Sequence, residues 1–376
     1  MTFTLIATTT MGFEAVLARE IKALGYKDVK VFDHKVEFQG DYRDICRANI
    51  WLRTAGRIYI KIGEFEATTF DELFDKTTAL DWAQWIGKDD KFPVADVTSR
   101  KSALFSKSDC QSIVKKAVVT QLKKAHSCET LPETKASCPI RIQIENDKVI
   151  LSIDSSGSGL NKRGYRAHMD IAPLRETLAA GLILLSRWRP EEDMLMDPFC
   201  GTGTLLIEAG LIAKNIAPGL NRSFCSERWS CIDSAHWRYV RQEARDLIKK
   251  DAKYRIYGSD NNARALSIAN KNIELAGLPD VFVQKRELSE ISSRYEQGRI
   301  ITNPPYGHRL EEQPDIDLLY QEMGRVFKEK FPLWSYYVLT SCDYFEELFG
   351  RESNKHRKIY NGGIKCWYYQ FFGRKS

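Results

Sequence analysis

The hydrophobic pattern of residues 1–66 predicts six elements in the order strand, helix, strand, strand, helix, strand. The segment "FTLIATT" is typical of a strand, and the apolar residues at positions 13, 16, 17, 21 and 24 recur at helical spacing. Two short strands, a helix that begins after Asp41 and the strand "GRIYIKIGEFEA" complete the set. This order predicts an α+β ferredoxin-like domain over residues 1–66.

Residues 67–156 show a second mixed pattern. Helical periodicity covers residues 69–86 and 107–126, and a strand covers residues 91–100. The segment "PIRIQIENDKVILSID" alternates as a hairpin that turns at Asn146 and Asp147. The pattern therefore predicts a second α+β domain. The Gly- and Ser-rich residues 157–164 that follow are typical of a linker.

From residue 165 to residue 376, helical and strand patterns alternate along the chain. The strands "DMLMDPF", "YRIYGSD" and "RIITNPP" are each separated from the next by at least one other element. Such alternation predicts a doubly wound, Rossmann-like α/β domain. Because these sheets bind ligands outside the carboxyl ends of their strands, the residues that end each strand are the candidates for a site.

Composition supports a folded protein in a reducing compartment. The 376 residues are 43% hydrophobic and 28% charged, which excludes a disordered or collagen-like chain. The nine cysteines show no zinc-finger spacing, so we expect reduced thiols, no metal site and a cytoplasmic protein. The first thirty residues do not have the pattern of a signal peptide, and no apolar run is long enough for a membrane span.

The positive charge is concentrated in one part of the chain. The net charge is +6, and residues 95–170 carry thirteen Lys and Arg against eight Asp and Glu. This excess makes the second domain the candidate surface for a polyanion, although a basic helix face can also be simply solvated. The predicted contacts are Arg100, Lys101, Lys107, Lys115, Lys116 and Lys123. Such contacts hold phosphates but do not read a base.

A glycine turn in "DPFCGTGT" is the first candidate for a ligand site. Gly201 and Gly203 follow a strand that ends at Asp197, so backbone can approach a ligand at the start of the next helix. Leu206 stands where a dinucleotide fingerprint needs a third glycine, and no P-loop sequence follows. We include Phe199 and Thr202 in the predicted cofactor site.

A carboxylate at the end of the second strand is the next candidate. Asp260, followed by Asn261, is placed to accept hydrogen bonds from the hydroxyls of a ribose. The alternative is a helix N-cap, because "SDNNA" opens a helix.

The segment "NPPY" ends a third strand with two prolines, which cannot extend a sheet ladder. In this order, "DPFCGTGT", "YGSD" and "NPPY" resemble class I S-adenosylmethionine-dependent methyltransferases that modify an exocyclic amine. The resemblance implies S-adenosylmethionine as cofactor. It also implies that the side-chain oxygen of Asn303 and the carbonyl of Pro304 accept hydrogen bonds from the target amine.

Physical chemistry supports this interpretation of the loop. The lone pair of a base amine is delocalised into the ring, and two acceptors around its hydrogens favour a pyramidal nitrogen that attacks an electrophilic methyl in line. Pro304 and Pro305 fix the acceptor geometry in advance. Tyr306 would offer a ring on which a base taken out of its own stack is held.

The resemblance extends over the whole chain. The middle domain resembles a THUMP RNA-binding domain, and "NIAPGLNRSFCSERW" resembles an insertion after the glycine turn in RNA-modifying relatives. Together the domains resemble the THUMP-domain methyltransferases that act on guanine N2 of bacterial 23S ribosomal RNA, in a free-standing form. The resemblance implies structured RNA as partner and cofactor-side roles for Arg175, Glu176 and Thr177. Where relatives carry an acid for the adenine amine of the cofactor, this chain has Arg286, and we expect Glu287 to take that role by a shift of one residue.

Three other functions stay open at this point. Related THUMP enzymes methylate guanine N2 in transfer RNA, and the "NPPY" segment alone also fits adenine N6 methylation of DNA. A non-catalytic RNA-binding assembly factor is the third, and the arginine at position 286 is its support. The oligomeric state and the modified nucleotide do not follow from the sequence.

Overall fold

A computed structural model describes residues 1–166, 174–307 and 313–373 of the chain. It divides into two compact units. The first unit consists of Met1–Thr9, Ala18–Leu160 and Arg222–Glu243, and the second of Thr10–Leu17, Asn161–Asn221 and Ala244–Ser376. Part of the segment "GYRAHMDIAPLRE", residues 167–173, lies outside the described residues.

The first unit is built on one mixed sheet of seven strands. The helices and strands of residues 1–156 are β1 (Phe3–Thr8), α1 (Glu14–Ala23), β2 (Lys30–Phe32), β3 (Lys35–Gly40), α2 (Tyr42–Trp51), β4 (Arg57–Glu66), α3 (Phe70–Thr78), β5 (Val94–Arg100), α4 (Lys107–Ala125), β6 (Ile140–Glu145) and β7 (Lys148–Asp154). The strand order is β2-β3-β1-β4-β7-β6-β5. Because β4 pairs with β7, the two predicted α+β domains share a continuous sheet.

Local sequence signals explain most of these elements. Asp41 is the N-cap of α2. Its carboxylate accepts hydrogen bonds from the backbone N–H groups of Arg43 at 2.8 Å and Asp44 at 3.0 Å. The predicted helix over residues 69–86 is too long, since α3 ends at Thr78. The chain turns after it because Trp82 is fully buried and its indole N–H donates to the carbonyl of Thr77 at 2.9 Å.

The remaining elements form the α/β part of the chain. They are α5 (Glu176–Ser186), β8 (Met194–Asp197), α6 (Thr204–Ala213), α7 (Ser234–Asp246), β9 (Ile256–Asp260), α8 (Ala263–Leu275), β10 (Val281–Lys285), β11 (Gly298–Thr302), α9 (Gln313–Lys330), β12 (Ser335–Thr340), α10 (Phe345–Phe349), β13 (Lys355–Asn361) and β14 (Ile364–Phe371). Two short turns of 3₁₀ helix cover Cys225–Arg228 and Leu288–Glu290. The strand order is β10-β9-β8-β11-β12-β14-β13.

This second sheet confirms the predicted Rossmann-like class. The strands from β10 to β12 are parallel, and β14 pairs antiparallel with both β12 and the edge strand β13. The chain proceeds from β8 outward to β9 and β10, then returns to β11 on the other side of β8. The strand order therefore reverses beside β8, and a crevice at this edge is the expected ligand site.

Helix α7 was not predicted from the sequence. Its buried residues Trp237, Val240 and Ala244 recur at helical spacing, but many charged residues separate them. The stretch Arg222–Glu243 packs within the first unit, where Phe224 stacks on Trp237 with ring centroids 5.2 Å apart. Trp229 also donates a hydrogen bond to the carbonyl of Ser137 at 2.8 Å. The predicted insertion is thus partly a structural element of the N-terminal unit.

Candidate active site

The second unit contains a cavity of about 1030 Å³ at the carboxyl ends of β8, β9 and β11. This volume is at the upper end for small-molecule sites, so it has room for a nucleoside cofactor. Among the residues predicted for the site, the cavity is lined by Arg175, Asp197, Phe199, Gly201, Thr202, Asp260, Asn261, Glu287, Asn303, Pro304, Pro305 and Tyr306. The fold therefore brings three separate sequence motifs to one cavity.

The glycine turn between β8 and α6 exposes its backbone to the cavity. Gly201 and Gly203 have φ angles of +51° and +83°, a region that side chains with a Cβ rarely adopt. A Cβ on Gly201 would meet no atom within 4 Å, which shows that this position faces open space. Gly203 precedes α6 without a side-chain cap, so the first N–H groups of that helix are available to a ligand.

Asp260 links the second strand to this turn. One of its carboxylate oxygens accepts the N–H of Gly201 at 2.9 Å, and the other accepts the N–H of Asn262 at 2.9 Å. The N-cap of α8 is Asn262, whose side chain bonds the backbone of the first turn. Asp260 is therefore not the helix cap, and each of its oxygens keeps acceptor capacity for a ribose hydroxyl.

Asp197 lies beneath the cavity at the end of β8 and is only 1% exposed. Its Oδ1 accepts hydrogen bonds from the hydroxyl of Thr302 at 2.6 Å and from the N–H of Phe199 at 3.1 Å. Burial raises the pKa of Asp197 to about 7, and the two hydrogen bonds offset only part of that effect. Asp197 thus joins the glycine turn to β11, the strand that carries the "NPPY" segment.

The "NPPY" segment is held by hydrogen bonds on both sides. The hydroxyl of Tyr306 donates to the side-chain oxygen of Asn303, and it accepts from Nδ2 of Asn361 at 3.4 Å. The carbonyl of Pro305 accepts from the hydroxyl of Tyr320 at 2.7 Å. The oxygen predicted to accept from a substrate amine therefore already accepts a hydrogen bond from a neighbouring hydroxyl.

Tyr306 is less open than the predicted stacking role requires. Its side chain contacts the cavity but is only 9% exposed, because the ring packs within the hydrophobic core of the second unit. Burial also raises the pKa of its hydroxyl, which keeps the group neutral and able to donate. Stacking of a base on this ring stays a prediction.

The carboxylate of Glu287 lies at the cavity, one residue beyond the position expected for the adenine contact. Its Oε2 lies 3.4 Å from Nδ2 of Asn261, and both residues line the cavity. The neighbouring Arg286 also lines the cavity, but its guanidinium is directed at the side chains of Tyr257 and Gln284. This arrangement favours Glu287 as the replacement for the missing acid.

We expect Glu287→Ala to weaken the binding of S-adenosylhomocysteine by about tenfold, the effect of losing one charge-assisted hydrogen bond. The matched variant Arg286→Ala should change the affinity by less than about twofold, because its guanidinium is directed at Tyr257. Isothermal titration calorimetry measures both affinities. Equal losses in the two variants would contradict the assignment of Glu287.

The three cofactor-side residues predicted at the start of α5 differ in their placement. Arg175 lines the cavity. Glu176 and Thr177 are buried in the first turn of α5, with 3% and 8% exposure, and do not line it among the described residues. The carboxylate of Glu176 lies 3.4 Å from the guanidinium of Arg166, and burial raises its pKa. Glu176 and Thr177 follow Arg175 directly in the chain, and their direct role in cofactor binding stays a prediction.

The predicted RNA contacts lie in the first unit. Arg100, Lys101, Lys107, Lys116 and Lys123 have exposed side chains. Lys115 differs, since its ammonium pairs with Glu133 at 2.7 Å and lies 3.4 Å from the ring centroid of Phe92. These partners make Lys115 a weaker candidate for a phosphate contact than the other five residues.

Several cavity residues were not predicted. Leu319 and Glu322 come from α9, while Asn361, Gly362 and Ile364 come from the tip of the β13–β14 hairpin. The sequence indicated a terminal hairpin, but only the antiparallel pairing of β14 with β12 brings its tip to this edge of the sheet. Across the described ranges, we find no group of three or more His, Cys, Asp or Glu side chains that could hold a metal ion. None of the helices in these ranges could span a bilayer.

Comparison with known proteins identifies the family. The family described as "RMKL-like, methyltransferase domain" matches residues 163–370, which is more than half of the chain. The chain belongs to the RMKL-like methyltransferase family. Within this family S-adenosylmethionine is the cofactor, and the open glycine turn and the acceptors of Asp260 fit such a ligand. The "RlmL ferredoxin-like domain" matches residues 4–59, and the "THUMP domain" matches residues 67–154.

Individual RMKL-like relatives match nearly the whole chain. It is 46% identical to the putative RNA methyltransferase YpsC of Bacillus subtilis, covering 99% of this chain and 96% of YpsC. It is 34% identical to the ribosomal RNA large subunit methyltransferase K/L of Aliivibrio fischeri, covering 96% of this chain and 52% of that protein. The chain therefore spans about half the length of the K/L protein. The crystal structure of SMU.472, a putative methyltransferase complexed with SAH, superposes with a TM-score of 0.94 at 41% identity. The match covers 100% of this chain and 99% of that structure's chain.

Proposed function

We propose that the protein transfers the methyl group of S-adenosylmethionine to N2 of a guanine in 23S ribosomal RNA. Its family and its relatives make it an S-adenosylmethionine-dependent RNA methyltransferase of the K/L type. One observation carries the finer proposal: Asn303 lines the same cavity as the glycine turn, on a strand tied to that turn through Asp197. An amine acceptor and a cofactor turn in one cavity fit methylation of an exocyclic amine.

The described residues can perform most of this reaction by positioning. The bound cofactor would supply an electrophilic methyl group. The oxygen of Asn303 would accept a hydrogen bond from the base amine. As the bond from nitrogen to the methyl carbon forms and the bond from sulfur to that carbon breaks, the amine would become acidic and its proton would pass to water. No strongly basic side chain is needed, and Pro304 with Pro305 holds the acceptors in place before the substrate arrives. The base amine would replace the hydroxyl of Tyr306 at the oxygen of Asn303.

Cofactor binding would use the cavity residues that follow β8, β9 and β10. Asp260 would accept hydrogen bonds from the ribose hydroxyls, and Glu287 would accept one from the adenine amine. The backbone of the turn at Gly201 and Thr202, with the free N–H groups at the start of α6, would face the polar end of the ligand. Phe199 and Asn261 complete this proposed set.

The choice of 23S ribosomal RNA is supported by the K/L relative, whose name refers to the ribosomal large subunit. The THUMP domain and its ferredoxin-like neighbour favour a structured RNA over duplex DNA. Transfer RNA is the strongest rival, because nothing at the Asn303 loop distinguishes two RNAs that carry the same base. A purely structural role in assembly would leave the cavity and its amine acceptor without a use.

Nucleoside mass spectrometry of purified 23S ribosomal RNA and transfer RNA, from cells with and without the gene, tests the proposal. We expect N2-methylguanosine to fall in the 23S fraction alone. A fall confined to transfer RNA would overturn the substrate and keep the mechanism. Loss of N6-methyladenine would overturn the guanine assignment, and an unchanged set of methylated bases would indicate a non-catalytic role.

Tyr306 provides a separate test of the loop. We expect Tyr306→Phe to keep kcat within about threefold of the wild type, because the ring stays in place and the competing donor to Asn303 is removed. Tyr306→Ala should lose stability by about 3 kcal/mol, since it leaves a cavity in the core. Steady-state kinetics and thermal unfolding measure the two effects. A loss of kcat in Tyr306→Phe as large as in Asn303→Ala would mean that the hydroxyl itself is catalytic.

A further inference from the structure

Phe105 is a large apolar side chain that is exposed to solvent on the surface of the first unit. It is 80% exposed, more than any other large hydrophobic residue in the described ranges except the terminal Met1. Its neighbour Leu104 is 3% exposed and fixes the turn between β5 and α4 to the core. The chain thus buries one residue of the pair and directs the other into solvent. An isolated exposed apolar residue is common, so the surroundings decide whether this one has a role.

The turn that carries Phe105 is rigid. The hydroxyl of Ser99 donates to the carbonyl of Leu104 at 2.7 Å, and the N–H of Ala103 donates to the carboxylate of Asp147 at 2.7 Å. The N–H of Asp147 in turn donates to the hydroxyl of Ser102 at 3.0 Å. These bonds tie the turn to the tip of the β6–β7 hairpin. A side chain held in this way loses little conformational entropy when it binds a flat partner.

The charges around Phe105 favour a polyanion. Arg100, Lys101 and Lys107 flank it and are exposed, whereas Asp109 is the one acidic residue in the first turn of α4. Ser106 makes no side-chain cap at the start of that helix, so helix N–H groups also face the region in front of the turn. An aromatic ring between cations, next to a helix N-terminus, matches a single-stranded nucleic acid: the ring takes a base and the cations take phosphates.

We infer that Phe105 stacks on an unpaired base of the RNA substrate, while Arg100, Lys101 and Lys107 contact the adjacent phosphates. The inference rests on RNA as the substrate and adds what this turn binds in it, namely an unpaired base and the phosphates beside it. Inside an RNA duplex the bases are stacked on each other, and only the terminal pair offers a free face, so an exposed ring finds a base chiefly where the strand is unpaired.

Binding of the full-length protein to two RNA hairpins tests the inference. The two hairpins have the same stem, closed by the same non-nucleotide linker in place of an unpaired loop. One has a blunt end, and the other has a short single-stranded tail. Fluorescence anisotropy at one fixed salt concentration gives both values of Kd. We expect Phe105→Ala to weaken binding of the tailed hairpin about tenfold, the effect of one lost base–aromatic stack, and to leave the blunt hairpin unchanged. Phe105→Trp should restore the affinity.

A matched control and a spectroscopic signal separate stacking from a general loss of binding. Phe282, 64% exposed in β10, allows the same substitution elsewhere, and Phe282→Ala should leave both affinities unchanged. A fluorescent adenine analogue in the tail should lose emission on binding the wild type but not Phe105→Ala. Equal affinities of the wild type and Phe105→Ala for the tailed hairpin would overturn the inference, as would equal weakening for both hairpins. If the wild type binds neither RNA, RNA itself fails as the substrate.

Discussion

Asn303→Ala should lower kcat by at least about 100-fold and leave the affinity for S-adenosylhomocysteine within about threefold of the wild type. The side-chain oxygen of Asn303 is the acceptor that the proposed mechanism needs as the amine gains positive charge. Removing one such preorganised group commonly costs two to three orders of magnitude in rate. The hydrogen bond between Gly201 and Asp260, which shapes the proposed cofactor site, does not involve this oxygen. Single-turnover kinetics with RNA and calorimetry with S-adenosylhomocysteine measure the two quantities.

Asn303→Asp is the matched control for this prediction. It keeps an acceptor oxygen of the same reach, so we expect it to retain more activity than Asn303→Ala. Turnover of Asn303→Ala at the wild-type rate would remove Asn303 from the mechanism. A parallel loss of cofactor affinity in both variants would instead mean that Asn303 acts by holding the cofactor.

Without cofactor, the protein should lose stability as the pH rises from about 4 to about 7, and Asp197→Asn should remove that part of the pH dependence. An ordinary Asp has a pKa of 3.8, and burial raises that of Asp197 to about 7. Between these values the folded state holds a proton that the unfolded state has released, so a rise in pH favours unfolding. The contribution is present below pH 4 and is lost above pH 7. At about 1.4 kcal/mol per pH unit it amounts to about 4 kcal/mol.

The measurement is the free energy of unfolding in urea at several pH values, for the wild type and for Asp197→Asn. Only the difference between the two curves reports on Asp197, because other carboxylates also titrate in this range. Asp315→Asn, at an exposed position in the first turn of α9, is the matched control and should follow the wild type. Parallel curves for the wild type and Asp197→Asn would show that Asp197 stays ionised in the folded state. Calorimetry on the same variant would report any separate effect on cofactor affinity.

Asp197 also explains why the two motifs act together. Its carboxylate bonds both the backbone of the turn at Phe199 and the hydroxyl of Thr302, the residue directly before Asn303. Through these two hydrogen bonds, a shift of the glycine turn would also move Thr302 and the Asn303 side chain that follows it. A carboxylate without a cationic partner at this depth costs stability, which fits the pattern that functional sites carry destabilising groups.

The sequence by itself determined the elements and the motifs that are local. The alternation of hydrophobic residues predicted the ferredoxin-like order and the Rossmann-like class, and the sheets confirm both. The cap at Asp41 and the glycine turn at Gly201 and Gly203 were also predictable. In each case the residues that interact are neighbours in the chain, so their types restrict the backbone directly.

Only the tertiary structure decided which distant side chains meet. Asp260 accepts a hydrogen bond from the N–H of Gly201, 59 positions away in the chain, whereas the N-cap of α8 is Asn262. The ring of Tyr306, which the sequence suggested would be open, packs in the core of the second unit, and its hydroxyl contacts Asn361 across 55 positions. The hairpin tip at Asn361 joined the cavity, while residues 222–243 joined the N-terminal unit.

The physical reason is the same for all of these contacts. Strand pairing and helix packing set the distance between residues that are far apart in the chain, and one residue type satisfies many such environments. An aspartate can cap a helix, hold a loop or bind a ribose, and a lysine can contact RNA or pair with Glu133 as Lys115 does. Residue types and spacing predict which chemistry is available, whereas register and packing determine which groups perform it.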